Sequence, residues 1–531
     1  MNSTTIHTDR AHASLLTKAA AFLRPHFLVI VLLALVIPAY FAWGWGATVG
    51  QLGSDGPSYL MMANHYAHGN AADPVYSAMA AYSRFPPLYP LLLSWCHAAD
   101  DFRWGHAVTT SCLILALIAL YVWLVLEGMS PQQSTLLVLL FAALPGSWLA
   151  DLTIQSEYLY MLWSLLAIAL MVEYQRGRTI KVLYGAAIVI AMATLTRTIG
   201  VALFAPFLIL LLHAPRRSAV MALILSALPL LIWHLLHRSR VGYTDALALI
   251  YSGDGLHTLR SQLATEIPAL RIGFGDNFLI QSYLRPVADI LGSLCLAGTA
   301  WRAIKLRPDA IYIVSNLLIL LVWPYPEEAQ RFLWVLVPLL MAQPILAISE
   351  WRREKPASRV PQLFTSAVAV AILATILPAF ALASDRYRSA SYTDMPEAQS
   401  YVLWYSEDAT HAWDVIGIQT AMINSMYRIS EDVPANDCVI STRPDLINYF
   451  GRRRSYFPPL ISTPEPYFGR QLRAPGCHFA FGMASIDERY NVPLYPLGRI
   501  GDGKLDVVFY NSIPLGAGGK FKLTSILAKL N

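Results

Sequence analysis

The sequence predicts an α-helical polytopic membrane protein of about eleven transmembrane helices, followed by a C-terminal extracytoplasmic α/β domain. Of its 531 residues, 56% are hydrophobic and only 14% are charged, and the mean hydropathy is +0.46. Apolar windows of roughly 17–22 residues, the length that crosses a bilayer, recur as far as about Ala383. The sequence then changes to short alternating segments separated by turns, which is typical of a small soluble domain.

The predicted membrane domain covers residues 1–383. Its spans begin near Phe27, Gly105, Ser134, Glu157, Lys181, Ile199, Ala219, Pro286, Asp309, Gln330 and Pro361. With a cytoplasmic N-terminus, the basic loops QRGRTIK, HAPRRS, WRAIKLRPD and EWRREKPASR all lie inside, as the positive-inside rule requires. The opposite loops, DLTIQSE and YPEEAQR, are short and contain acids. A long first loop (49–104) then lies outside.

The predicted outer domain covers residues 384–531. The segment CVISTRPDLINYFGRRRSYFPP indicates strand, helix and strand, CHFAFGMAS and LDVVFYNS indicate further strands, and DGK indicates a hairpin turn. Cys438 and Cys477 begin two of these strands, so their sulfurs are within reach of each other if the strands are parallel neighbours. The sequence leaves this disulfide open. The basic run GRRR (451–454) is a solvated helix end or a contact with anionic lipid.

The first outer loop carries a lone acid, Asp55, in a glycine-flanked turn ahead of a short helix that bears Tyr59 and His65. This acid is either a helix cap or a catalytic base held at the membrane surface. Arg84 and Tyr89 follow beside a short apolar run, which predicts an interfacial helix. A water-exposed site for a lipid substrate needs such a helix beside an acid.

The other outward loops add charges at the same predicted level of the membrane. Asp151 and Glu157 share one loop, with Glu157 at the mouth of the fourth span, where an ionisable group is a functional candidate. Arg197 lies between two spans and needs an anionic partner, either a substrate phosphate or Glu157 or Asp151 in a structural bridge. Glu328 and Arg331 lie in a further outer turn, and Arg331 is alternatively a side chain that reaches the lipid headgroups.

These segments resemble a GT-C glycosyltransferase of the protein O-mannosyltransferase and lipid A aminoarabinose-transferase type. The resemblance rests on SDGPSYLMMANHYAHG, RFPPLYPLLLSW, SEYLYMLWSLLAIAL, LTRTIGVALFAP and EEAQRFLWVLVPLL, in this order and each on the predicted outer face. It spans nearly all of the membrane part and includes the C-terminal outer domain. It implies an inverting transfer of sugar from a polyprenyl-phosphate donor to an acceptor hydroxyl or phosphate on the outer face of the membrane.

The resemblance also implies roles for individual residues. The family's first-loop acid corresponds to Asp55, acting as base toward the acceptor or as a metal-associated acid, and the second acid to Glu157, with Asp151 as alternate. Arg197, Arg331 and Arg84 correspond to the residues that hold the donor phosphate. The residues expected to line the substrate site are Tyr59, His65, Tyr89, Asp151 and Glu328.

Two departures from the family pattern bear on the chemistry. The first motif has a single acid where mannosyltransferases often have an Asp-Glu pair, and Phe85 precedes the two prolines where some relatives have lysine. They leave open whether a divalent metal binds at Asp55 and Glu157, and which head group the donor carries.

Composition and motifs narrow the remaining function classes. The net charge of +5 comes from clusters between apolar runs, which are topology signals, so nucleic acid is not an expected partner. The sequence has no glycine-rich motif for binding a nucleotide, so a cytoplasmic nucleotide sugar is not the expected donor. The expected partners are the bilayer, the polyprenyl-phosphate sugar, and a glycan, glycolipid or protein acceptor. The alternatives are a transporter or flippase, an O-antigen ligase or polymerase, and a scaffold. The expected location is a bacterial inner membrane, with the outer domain in the periplasm.

Overall fold

The computed structural model describes residues 24–45, 55–82, 85–236, 255–278, 285–323, 329–354, 409–458, 470, 475–483, 505–515 and 520–530. This part of the chain is mostly helical and ends in a small sheet, which confirms the expected fold class. The span expected near Pro361 and the domain boundary at residue 383 lie outside the described residues.

The helices before the outer domain are named α1 to α16 in chain order. They are Phe27–Trp45, Gly56–His68, Pro74–Tyr82, Leu88–Trp95, Phe102–Leu126, Pro131–Ala143, Pro145–Asp151, Glu157–Gly177, Ile180–Thr196, Phe204–Leu211, Arg216–Leu236, Gly255–Asp276, Arg285–Ile304, Pro308–Leu321, Ala329–Trp334 and Val337–Glu354. A short 3₁₀ helix, Thr198–Leu203, leads into α10. Among the described residues, five helices are long and apolar enough to cross a membrane: α1, α5, α8, α11 and α13. The total of about eleven spans stays a prediction.

One predicted span is interrupted. The apolar run near Gln330 forms two helices, α15 and α16, with a turn at Val335 and Leu336 between them. Pro338 is the second residue of α16, where its missing N–H group is harmless. In an uninterrupted helix its ring would clash with the carbonyl of Trp334, at which α15 ends. Because of the break, α15 is a separate short helix, and Arg331 lies on it.

A buried ion-pair network joins the ends of α5, α13, α14 and α16 that are predicted to face the cytoplasm. Arg302, which is completely buried, contacts Asp309 and Glu127 at 2.9 Å and Glu350 at 2.6 Å. Arg307 also contacts Glu350, at 2.9 Å. The sequence identified WRAIKLRPD only as an inside loop, whereas its first arginine is a structural cation inside the protein.

Replacing Arg302 with methionine should lower the free energy of unfolding by about 3–5 kcal/mol, because three buried acids would lose their common cation. Arg307→Gln is the control, since the Arg307 side chain is 39% exposed and Glu350 keeps Arg302. The control should lose less than about 1 kcal/mol. Thermal unfolding of the purified full chain in detergent measures both. Equal effects would mean that Arg302 is not the centre of the network.

In its described residues, the predicted outer domain has a five-stranded mixed sheet and two helices, α17 (Ala409–Asp432) and α18 (Pro444–Phe450). The strands β1 to β5 are Cys438–Ser441, Arg454–Tyr456, Phe479–Met483, Leu505–Leu515 and Lys520–Leu530. Their order is β2-β1-β3-β5-β4, with β1 parallel to both β2 and β3, and β5 antiparallel to both β3 and β4. The predicted strand, helix and strand over 438–456 are confirmed. The sequence did not identify β5, and the DGK turn lies outside the described residues.

Cys438 and Cys477 form a disulfide. Cys438 begins β1, and Cys477 lies just before the parallel neighbour β3, with 4.7 Å between the two Cα atoms. The sequence left this bond open because it depends on which strands are adjacent. Disulfides persist in oxidising compartments, so this bond favours the predicted extracytoplasmic location.

Candidate active site

Four charged side chains from separate segments, all predicted to lie outside, meet in one cluster, in which Arg331 lies between two carboxylates. Its Nη2 is 2.5 Å from Asp55 Oδ2, and its Nε donates to Glu157 Oε1. Glu157 Oε1 also contacts Arg197 Nη1, at 2.7 Å. We call Asp55, Glu157, Arg197 and Arg331 the four-charge cluster. Their separation in the sequence shows that the helix bundle, and not local structure, brings them together.

Asp55 immediately precedes α2, yet its side chain makes no capping hydrogen bond to that helix. Gly56 and Pro57 begin the helix, and Pro57 is well suited to the first turn because its N–H group would have no partner there. The Asp55 carboxylate contacts Arg331 instead, and its side chain is 23% exposed. The helix cap therefore does not account for this carboxylate.

Glu157 is the first residue of α8, where the helix dipole favours a negative charge. Its side chain is only 3% exposed. Oε1 is bound by both arginines, while the buried Oε2 has no hydrogen-bond partner among the described residues. Glu157 is thus the shared counter-ion of two guanidinium groups, and burial makes that pairing necessary.

Arg197 occupies a break between α9 and the 3₁₀ helix that follows. Its backbone is extended, with φ −147° and ψ 135°, and the chain then turns tightly against the end of α9. Gly200 permits this close approach, since a Cβ there would lie 2.9 Å from the backbone nitrogen of Thr194. The break places a cation at the C-terminal end of α9, where the helix dipole favours it.

Two residues that the sequence analysis did not identify complete the surroundings of Arg197. Ser156 Oγ accepts a hydrogen bond from Arg197 Nη1 at 3.1 Å and lies 2.9 Å from the hydroxyl of Tyr59. The Arg197 guanidinium carbon lies 5.5 Å from the centre of the Phe332 ring. Ser156 is next to Glu157 in the sequence, and Phe332 is next to Arg331. This adjacency is the one sequence signal that could have indicated either residue.

Tyr59 and Tyr89 form the wall beside the cluster. Both are buried, and their ring centres are 5.0 Å apart. The Tyr89 hydroxyl pairs with Thr109 at 2.9 Å, and its ring packs against that of Tyr59. Burial, and then the neighbouring Asp55 carboxylate, raise the pKa of Tyr59 well above its usual value. Tyr59 therefore stays a neutral hydrogen-bonding group.

Two other predicted residues, His65 and Asp151, lie away from the cluster. His65 is near the far end of α2, with Nδ1 3.1 Å from Ser77 Oγ on α3. Asp151 is completely buried and accepts a hydrogen bond from Thr110 at 2.8 Å, so it faces α5 and not the cluster. Arg84 and Glu328 lie outside the described residues.

The cluster does not fit a divalent metal between Asp55 and Glu157, because Arg331 already bridges these two carboxylates. The described residues also include no group of three histidine, cysteine, aspartate or glutamate side chains suited to a metal ion. The two acids and two arginines cancel in formal charge. The planar guanidinium groups of Arg197 and Arg331 nevertheless have the geometry that pairs with phosphate oxygens.

Comparison with known proteins gives the following similarities. No family model matches the chain. No curated protein matches it either. Similar solved structures include ArnT from Cupriavidus metallidurans bound to undecaprenyl phosphate, with 12% identity, a TM-score of 0.49, and coverage of 96% of this chain and 98% of that one. The apo state of that ArnT has a TM-score of 0.46, with the same identity and coverage. Arabinofuranosyltransferase AftD from Mycobacteria has 14% identity and a TM-score of 0.44, over 94% of this chain and 40% of AftD. ArnT and AftD are GT-C glycosyltransferases, the family that the sequence motifs resemble.

Proposed function

We propose that this protein is a membrane glycosyltransferase that moves a sugar from a polyprenyl-phosphate donor to an acceptor hydroxyl. The observation that carries the proposal is the four-charge cluster, in which Arg331 links Asp55 to Glu157 and Arg197 binds the same glutamate. In the reaction, the bond between the sugar's anomeric carbon and the phosphate oxygen breaks. The acceptor oxygen bonds to that carbon with inversion, and polyprenyl phosphate leaves.

The arginines would stabilise the leaving group. The departing phosphate gains a second negative charge as the bond breaks, and preorganised N–H donors aimed at a developing charge are an effective source of catalysis. A guanidinium has five N–H donors, and the contacts of Arg197 with Glu157 and Ser156 both use Nη1. Its Nε and Nη2 are therefore suited to phosphate oxygens. Glu157 holds both cations in place before the donor arrives.

Asp55 would act as the general base. Its side chain is 23% exposed, whereas that of Glu157 is 3% exposed and bound by two arginines, so Asp55 is the more accessible carboxylate for an acceptor. It would take the proton of the acceptor hydroxyl as the new bond forms. Each of these steps is carried by side chains of this chain and none by a metal.

The reaction would take place at the outer surface of a membrane. All four charges lie at or near the ends of helices, in segments that the positive-inside pattern puts outside. The same pattern supports a cytoplasmic N-terminus and a periplasmic C-terminal domain in a bacterial inner membrane. A glycan, a glycolipid or a protein hydroxyl would serve as acceptor.

The test uses synthetic short-chain polyprenyl phosphates that carry different sugars, supplied to the purified full chain with a panel of acceptors. Release of polyprenyl phosphate together with a glycosylated acceptor would support the proposal. Donor binding without release across the panel would favour a transporter or flippase. Absence of binding to any polyprenyl phosphate would contradict a lipid-linked donor.

We expect EDTA to leave the rate of transfer unchanged, because Arg331 occupies the position between Asp55 and Glu157 that a cation would need. The measurement is the initial rate before and after chelation, with metal content determined in parallel. Loss of the rate in EDTA and its recovery with one divalent ion would contradict this expectation and return a metal to the mechanism.

A further inference from the structure

The outer domain contacts the first outer loop directly, through residues that the proposed chemistry does not use. Arg452, just after α18, has Nη1 3.2 Å from Asp73 Oδ2, and its guanidinium carbon lies 4.7 Å from the centre of the Tyr76 ring. Tyr76 in turn stacks on Tyr449 of α18, with ring centres 6.0 Å apart and ring planes within 9°. An ion pair, a cation–π contact and an aromatic stack thus join the two parts of the chain.

These contacts lead to the helix that carries Asp55. Asp73 caps α3 by accepting the N–H of Val75 at 2.8 Å, and its own N–H donates to Asn64 Oδ1 on α2 at 3.4 Å. The pair of His65 and Ser77 ties α2 to α3 a second time. The beginning of α2 is held at the four-charge cluster, and its end is held through Asp73 and α3 to the outer domain.

The backbone conformation of Arg452 also bears on how its side chain can be tested. It lies at φ +48°, in the left-handed region that favours glycine and disfavours longer side chains. Gly451 before it is constrained differently, since a Cβ there would lie 2.8 Å from the carbonyl oxygen of Ile447. His97, Arg178 and Leu306 share this backbone region, so the conformation by itself assigns no role. The side chain of Arg452 is distinguished by its contacts with Asp73 and Tyr76.

The neighbouring arginines act within their own domain. Arg453 donates to the carbonyl oxygen of Val433 at 2.8 Å, and Arg454 donates to that of Asn436 at 3.2 Å. The GRRR run is therefore more than a solvated helix end, and its contact with anionic lipid stays a prediction. Arg452 differs from the other two because its ion pair crosses to the membrane part of the chain.

We propose that Arg452 is a positioning residue: by binding Asp73 and Tyr76, it makes the outer domain fix α2 and thereby hold Asp55 against Arg331. This inference rests on the proposed function for its effect on turnover. The physical coupling between the outer domain and α2 is independent of which substrate is used, so the two can be tested separately.

Arg452→Gly separates positioning from stability. Glycine relieves the left-handed strain, so the unfolding temperature of the full chain should stay the same or rise, while the contact with the outer loop is lost. Hydrogen exchange of the purified full chain should then become about tenfold faster over residues 64–77, from the combined loss of an ion pair and a cation–π contact. The control Arg454→Ala, which removes an exposed arginine two residues away, should leave exchange over 64–77 unchanged.

Turnover supplies the second readout. With the short-chain donor, Arg452→Gly should lower kcat about tenfold and leave the donor KM unchanged, because Asp55 is displaced and the arginines are not. Arg452→Lys keeps the charge and should recover most of the rate. Unchanged exchange over 64–77 in Arg452→Gly would overturn the proposal, as would faster exchange with an unchanged kcat. If exchange accelerates but the wild-type chain transfers no sugar, the coupling stands and the proposed function fails.

Discussion

Replacing Asp55 with asparagine should lower the rate of sugar transfer by about a hundredfold to ten-thousandfold, the usual contribution of a general base. Asparagine has nearly the same shape and also suits the residue before a helix. The Asp55 side chain makes no capping bond in any case, so α2 should form normally. The change removes the charge that accepts the acceptor's proton. Donor binding through Arg197 should be retained.

The measurement compares initial rates and donor affinity of wild type and Asp55→Asn. Asp101→Asn is a matched control in the same outer loop, since Asp101 caps α5 by accepting the N–H of Arg103 at 3.0 Å and asparagine caps equally well. Full activity in Asp55→Asn, combined with loss of activity in Glu157→Gln, would move the base to Glu157. Full activity in both would show that neither carboxylate takes the proton.

Replacing Arg331 with lysine should lower kcat/KM for the donor by about a hundredfold or more. A lysine keeps the positive charge, but its single ammonium group lacks the planar fork that contacts Asp55 and Glu157 together. Glu157 would still be paired with Arg197, so the buried carboxylate keeps a cation and the chain should remain folded. The loss is therefore expected in turnover and donor binding, with little change in unfolding temperature.

The control for Arg331→Lys is Arg271→Lys. Arg271 is also bound to an acid, Asp289, but its side chain is 69% exposed and outside the four-charge cluster. Its replacement should change neither turnover nor stability measurably, as is usual for exposed ion pairs. Wild-type turnover in Arg331→Lys would show that charge alone suffices at this position and that the bridging geometry is not needed for catalysis.

Sequence reasoning identified all four members of the cluster because the signal for each is local. A charge at the mouth of an apolar span, on the side that the positive-inside rule puts outside, is readable from the chain alone. Alternating spans then place every such loop on one side of the membrane. The sequence does not show which of these loops are neighbours in the plane of the membrane, because that depends on which helices pack together. The bridge from Arg331 to both acids therefore could not be predicted.

Asp151 illustrates the same limit. It shares a short loop with Glu157, so the sequence offered either residue as the second acid. In the structure Asp151 ends α7 and turns to Thr110, while Glu157 begins α8 and turns to the arginines. The two acids are only six residues apart, yet Asp151 lies against α5 and Glu157 lies in the four-charge cluster. Only the packing of α5 against this loop distinguishes them.

The positive-inside rule, which predicts the topology, also explains why the buried network around Arg302 was not predicted. Arginines near the inner ends of spans are usually topology signals in contact with water and lipid headgroups. Arg302 has that sequence position, yet it is completely buried among acids from three other chain segments. β5 is a different case, since it pairs antiparallel with β4, the strand just before it in the chain, and its segment KFKLTSILAKL was not recognised as a strand.

The distribution of cysteines makes the protein a convenient object for chemical labelling. Cys438 and Cys477 are joined, and Cys112 and Cys295 are buried. Of the five cysteines, this leaves Cys96, half-buried just after α4, as the thiol that a reagent can reach. A maleimide that does not cross membranes, applied to intact spheroplasts, should therefore attach at one site in the unaltered chain. The modification would report directly which side of the bilayer the first long loop occupies.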